Sequence, residues 1–82
     1  MIDVTPADLK AVCAAGFSVS VKNIESGRSE MAAVNARHMA SWLMYWILHM
    51  DCAAIGRELG DRDPSTVWRA IRQINGRLGY DD

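Results

Sequence analysis

Between Leu59 and Val67 the chain reads L-G-D-R-D-P-S-T-V, and this junction constrains the fold more than any other stretch. Gly60 is a helix stop, since a residue without Cβ enters the left-handed conformation at little cost. Asp63 and Pro64 form a helix start. The carboxylate can accept from the first free N–H groups, and the proline ring is pre-set for the first helical position, where a missing N–H costs nothing. Only G-D-R separates the two helices. Two helices joined by so short a glycine-bearing turn are the signature of a helix-turn-helix, here over residues 52–77. In such a unit the second helix is the one that enters a major groove.

The rest of the chain is read as helical. T-P-A-D-L-K-A-V-C-A-A-G predicts a helix with Thr5 as N-cap, Pro6 at its first position, Asp8 in its first turn and Gly16 as its stop. Leu9, Val12 and Cys13 would be its inward stripe. In F-S-V-S-V-K-N-I-E-S-G, Phe17, Val19 and Val21 alternate like a short strand, while Ser20 can cap a helical turn through Ile24. With no second strand candidate in the chain, the helical turn is preferred. Ser29 and Glu30 open the longest helix, which runs to about His49 without Gly or Pro. Below Arg37 that helix is apolar nearly all round. Met39, Leu43, Trp46, Ile47 and Met50 fall on one face, and Trp42, Tyr45 and His49 on its neighbour. A helix of this kind is the centre of a core or half of an interface, and Trp42 with Tyr45 is the candidate protein-binding patch. Asp51 caps the following helix. The expectation is an all-α fold of four to five helices in one domain, residues 1–82. Leu9, Val34, Leu43, Trp46, Ile47, Ile55, Leu59, Val67, Ile71 and Ile74 are its predicted core.

Composition removes several function classes. A chain of 82 residues suits one small domain and leaves no room for a cleft between domains. Its net charge of −1 and pI near 6.0 argue against a generic basic nucleic-acid binder. The mean hides an asymmetry, because residues 28–77 carry seven arginines against five acids. Arginine presents a fork of donors that matches phosphate and guanine edges. Cys13 and Cys52 lie far apart with no Cys/His cluster, and His38 and His49 cannot share a helical face at ligand spacing, so no metal and no cofactor are expected. Two buried thiols in a reducing cytoplasm are expected instead. The most apolar run, Met39–Met50, is too short for a membrane span, which needs about 20 residues. Asp3 and Asp8 stand where a secretory leader would be basic, so a cytoplasmic protein is expected. No nucleophile–base constellation or carboxylate pair suggests an enzyme.

The helix beginning at Pro64 carries the candidate site. Ser65 and Thr66 stand at a mouth where free N–H groups and the positive dipole end favour phosphate, and their small side chains permit close approach. Val67, Ala70, Ile71 and Ile74 anchor the back of the helix, whereas Arg62, Arg69, Arg72 and Gln73 can face outward along a groove.

The run A-R-H-M-A-S-W-L through A-I-G-R-E-L-G-D-R-D-P-S-T-V-W-R-A-I-R-Q-I resembles the C-terminal DNA-binding domain of the bacterial replication initiator DnaA, without gaps from Ser26 to Ile74. That family's pattern is roughly A/P-R-Q-x-A-M-x-L, then I-G-x-x-F-G-G-R-D-H-S/T-T-V-x-H-A-x-x-K-I. S-V-S-V-K-N-I-E-S-G-R-S resembles the V-S-V-x-D-L-x-S-x-x-R-S upstream of it. The resemblance implies a fold of the Trp-repressor/DnaA group that binds double-stranded DNA. By position it makes Arg62, Asp63, Ser65 and Thr66 major-groove contacts, Arg37 a minor-groove contact, and Arg28 a phosphate or minor-groove contact.

The departures matter as well. Pro64 replaces a histidine that the family uses on a base, so the DnaA-box sequence is not the expected target. Arg69 replaces a second histidine and offers a long guanidinium instead. Trp68 and Asp61 stand for the usual leucine and glycine. No G-x-x-x-x-G-K-[ST] occurs, so no initiator motor is expected. The function implied is transcriptional regulation, of phage-like or gene transfer agent genes. A domain this small makes few phosphate contacts, so a second copy (a homodimer), a second regulator or RNA polymerase is an expected partner. The alternative is a protein-interaction module that binds RNA polymerase, a replication factor or a partner regulator through the Trp42/Tyr45 face.

Overall fold

A computed structural model describes residues 3–26 and 29–79. They form five α-helices in the order α1 (Pro6–Phe17), α2 (Val21–Glu25), α3 (Met31–Ile47), α4 (Cys52–Glu58) and α5 (Pro64–Leu78), with no strand among the described residues. The segment that admitted two readings is therefore the helical turn α2, capped by Ser20 through the Asn23 amide.

Side-chain capping explains where four of the five helices start, and α3, entered at Glu30, has no side-chain cap. Thr5 accepts from the Asp8 amide while the Asp8 carboxylate accepts from the Thr5 amide, a reciprocal box ahead of Pro6. Asp51 accepts from the Ala54 amide and Asp63 from the Ser65 amide. The ends agree less well with expectation. Gly16 does not stop α1, which continues to Phe17 and ends where Ser18 takes the left-handed conformation at φ 57°. There the Ser18 N–H bonds the carbonyls of Ala14 and Ala15, so the left-handed residue closes the helix wherever it falls. Likewise α3 ends at Ile47, and His49 turns the chain at φ 55°.

The core lies where α1 and α5 pack on α3, with α4 against α5 and α2 against α3. Leu9, Cys13, Ile24, Met44, Ile55, Leu59, Val67 and Ile71 fill it. The face of α3 that turns inward differs from the predicted one. It consists of Ala33, Ala36, Arg37, Ala40, Ser41 and Met44, small except for Arg37 and Met44. A stripe of alanines lets neighbouring helices approach closely, because the distance between axes follows the side chains at the contact. The bulky residues are rotated outward as a result. Trp46 and Ile47, both expected in the core, are half exposed, and Val34 and Leu43 are only half-buried. On α1, Val12 is 63% exposed, and Lys10 takes its place inside. Cys13 is buried as expected, but Cys52 is half-buried, and both thiols are free.

Candidate nucleic-acid interface

The turn between α4 and α5 is held from three sides. The Arg62 amide donates to the Gly56 carbonyl at 2.9 Å, and a Cβ on Gly56 would overlap the Arg62 carbonyl oxygen. Gly60 has φ +89°, and a Cβ there would overlap the Glu25 carbonyl oxygen. Both positions need glycine, Gly56 for close approach and Gly60 for conformation as well. The third hold is Arg62 itself. Its Nε donates to the Leu59 carbonyl at 3.0 Å and its Nη2 to the Ser26 carbonyl. These bonds bind the turn to the loop after α2, so α5 leaves the turn in a fixed direction.

At the mouth of α5, Asp63 accepts from both the amide and the hydroxyl of Ser65, each at 3.0 Å. Those bonds, with a smaller contribution from the charge of Arg69, hold the Asp63 carboxyl below its usual range. Ser65 and Thr66 are both exposed at this end. From there Ser65, Trp68, Arg69, Arg72 and Gln73 line one shallow groove along the helix, at the i, i+3, i+4, i+7, i+8 spacing of a single helical face. Val67, Ala70, Ile71, Ile74 and Asn75 form the buried face opposite. Thus Ser65, Arg69 and Arg72 come together on one surface, with Thr66 and Asp63 at its end.

Arg37 lies elsewhere. It is 7% exposed, and its guanidinium donates to the carbonyls of Ile24 at 2.8 Å, Asn23 at 3.1 Å and Ser26 at 3.0 Å. Burial, and then the charge of Arg62, pull its pKa below the usual value. Expected as a minor-groove contact, Arg37 here braces the loop after α2, and reaching a groove would break three hydrogen bonds. Arg62, expected in the major groove, is half-buried and shares the Ser26 carbonyl with Arg37. Arg28 lies outside the described residues. Behind these arginines a cavity of about 110 Å³ is lined by Arg37, His38, Ser41, Arg62 and Thr66 together with Val67 and Ala70. His38 Nδ1 is buried without a hydrogen-bond partner among the described residues. Burial, and then Arg37, Arg77 and Arg62, push the His38 pKa below the ordinary 6.5.

The aromatic patch is also arranged differently from expectation. Trp42 is half-buried, with Nε1 donating to Asn75 Oδ1 at 2.8 Å, and Tyr45 is half-buried between Trp46 and Trp68. Trp46 and Trp68 are the exposed members. Two arrangements escaped the sequence. Trp68 lies on the outward stripe, a position legible from its spacing of three from Ser65 and four from Arg72. Lys10 joins α1 to Glu25 of α2 and Glu58 of α4 at 2.5 and 3.2 Å, and no local pattern marks partners so distant in the chain.

The chain matches a family model described as the bacterial DnaA protein helix-turn-helix over residues 6–74. It is similar to the chromosomal replication initiator protein DnaA of Mycoplasma capricolum, 37% identical over 73 residues that cover 89% of this chain and 16% of that relative. The DnaA of Mesoplasma florum is 38% identical over 66 residues, 80% of this chain and 15% of the relative. That of Rhodopseudomonas palustris is 32% identical over 74 residues, 90% and 16%. The chain therefore spans about 16% of the length of the curated relatives it matches. No solved structure matches it. Among the described residues no helix is long and apolar enough to cross a membrane. With a model match from the start of α1 to Ile74 and the helix-turn-helix in place, the chain belongs to the family of bacterial DnaA helix-turn-helix domains.

Proposed function

We propose that this chain binds double-stranded DNA sequence-specifically, with α5 in the major groove, and regulates transcription of phage-like or gene transfer agent genes in the cytoplasm. The reading is supported above all by the outward stripe of α5, which sets Ser65, Arg69, Arg72 and Gln73 in line on a helix whose entry is fixed by the Asp63 cap and the locked turn. Arg69 is suited to a guanine edge, Ser65 and Thr66 to phosphate or base edges at the helix mouth, and Arg72 to the flanking backbone. Arg37 and Arg62 act by positioning, because their guanidinium bonds set the loop and turn from which α5 projects. Arg28 adds a phosphate or minor-groove contact. A homodimer, a second regulator or RNA polymerase supplies the remaining affinity.

Selection of bound duplexes from a random pool tests this reading. A common motif is expected, together with an affinity that falls on salt addition with a log–log slope of about −0.9 per phosphate neutralised. Absence of enrichment, or a flat salt response, refutes it.

The second reading, a module that binds RNA polymerase, a replication factor or a partner regulator, is favoured by the half-exposed Trp46 and Ile47 beside Tyr45. On that reading Trp46→Ala abolishes partner capture and leaves duplex binding unchanged.

A further inference from the structure

We propose that Trp68 reads thymine, its indole edge packing against the C5 methyl group of a thymine in the major groove. The inference rests on the duplex-binding reading above and names a specificity-determining residue for it. Trp68 is 39% exposed and lines the groove along α5 together with Ser65, Arg69, Arg72 and Gln73. It is the one large apolar group on an otherwise polar stripe. At about 1.5 Å of rise per residue, it sits about 4.5 Å along the axis from Ser65. A helix entering a groove about 12 Å wide therefore brings both side chains to the base edges together.

The inner side of the indole is pinned. Its ring lies 5.7 Å from that of Tyr45, which meets Trp46 edge-on at 5.3 Å, and Trp46 in turn lies 6.4 Å from Trp42. Trp42 closes the chain by its hydrogen bond to Asn75 on α5. An indole packed on Tyr45, itself held in a chain of rings, has less rotamer freedom to lose on contact, which favours a fixed recognition edge over a mobile one. Its chemistry selects the base. Among major-groove base edges the thymine methyl is the one alkyl group, and the N7, carbonyl and amino groups there are donors or acceptors that an apolar ring edge leaves unsatisfied. Arg69 and Arg72 beside it attract phosphate or guanine, so the ring is carried to the groove by charged neighbours that do not compete for the methyl.

A duplex enriched from a random pool by the full chain is resynthesised with each thymine in turn replaced by deoxyuridine, which removes only the methyl group. The parent chain should lose affinity about fourfold at one thymine, the factor equivalent to about 0.8 kcal/mol for one buried methyl-sized group. Trp68→Ala should bind both versions of that duplex alike, Trp68→Phe should retain part of the difference, and Arg69→Ala should retain all of it. Circular dichroism establishes that each variant is folded, and if Trp68→Ala is not, the parent scan and Trp68→Phe decide. Equal binding of thymine and deoxyuridine duplexes by the parent overturns the proposal. So does undiminished discrimination in a folded Trp68 variant, which would leave the indole to a protein partner. A chain that enriches no duplex overturns the underlying DNA-binding reading as well.

Discussion

Gly56 and Arg62 are locked to each other: the Arg62 amide donates to the Gly56 carbonyl at 2.9 Å, and no room remains for a Cβ on Gly56 against the Arg62 carbonyl. This contact sets how α4 meets the turn. Gly56→Ala should therefore force the turn away from α4 and destabilise the fold by about 1–3 kcal/mol, the range for overpacking. Thermal unfolding checks this. A melting temperature equal to that of the parent would mean that the turn yields without strain.

Arg37 and Arg69 should separate cleanly. Arg37→Ala removes three hydrogen bonds to the carbonyls of Asn23, Ile24 and Ser26 and should lower stability by about 1.5–3 kcal/mol. Arg69 is exposed, so Arg69→Ala should leave melting unchanged while weakening binding to a selected duplex by about 1–3 kcal/mol. Denaturant unfolding and a duplex titration on both variants measure the contrast. Loss of binding in a fully stable Arg37→Ala would return Arg37 to the groove.

Acid should weaken the fold through His38. Burial and the charges of Arg37, Arg77 and Arg62 hold its folded pKa below the ordinary 6.5. The unfolded chain thus takes up a proton first as pH falls, and stability present above 6.5 declines from there through the folded pKa. His38→Gln should flatten this part of the stability profile, as measured by denaturant unfolding between neutral and mildly acidic pH. An unchanged slope would assign the acid sensitivity to other groups.

Alkali should act on Lys10 in the opposite sense. Burial alone would lower its pKa, but hydrogen bonds to Glu25 and Glu58, and their charges, outweigh burial and raise it above 10.5. Its stabilising contribution is present below 10.5 and lost as pH rises through the higher folded value. Lys10→Met should cost about 1.5–3 kcal/mol at neutral pH, the range for hydrogen bonds to charged groups, and should lose less than the parent in alkali. Unfolding curves at neutral and alkaline pH test both statements.

The legible parts of this molecule were those with local causes. Thr5, Ser20, Asp51 and Asp63 each cap a helix through an amide two or three residues on, and all four can be read from the sequence. The outward and inward stripes of α5 are equally legible, because polar and apolar residues alternate there with helical period. On α3 that contrast is missing. With apolar residues nearly all round, periodicity cannot say that Ala36 and Ala40 face inward and Trp46 outward. Arg37 and Lys10 were illegible for another reason, since their partners lie 11–14 and 15–48 residues away in the chain and only the packing of helices brings them together.

The division of α5 into two faces bears on how such a chain can change its target. Val67, Ala70, Ile71 and Ile74 hold the helix in the core, while Arg69, Arg72 and Gln73 are exposed on its other side. On the duplex-binding reading proposed above, substitutions at the exposed positions should alter which operator is preferred at little cost in folding. A domain built this way should then be able to move between operators one residue at a time while staying folded, provided Gly56, Gly60 and the Asp63 cap are kept.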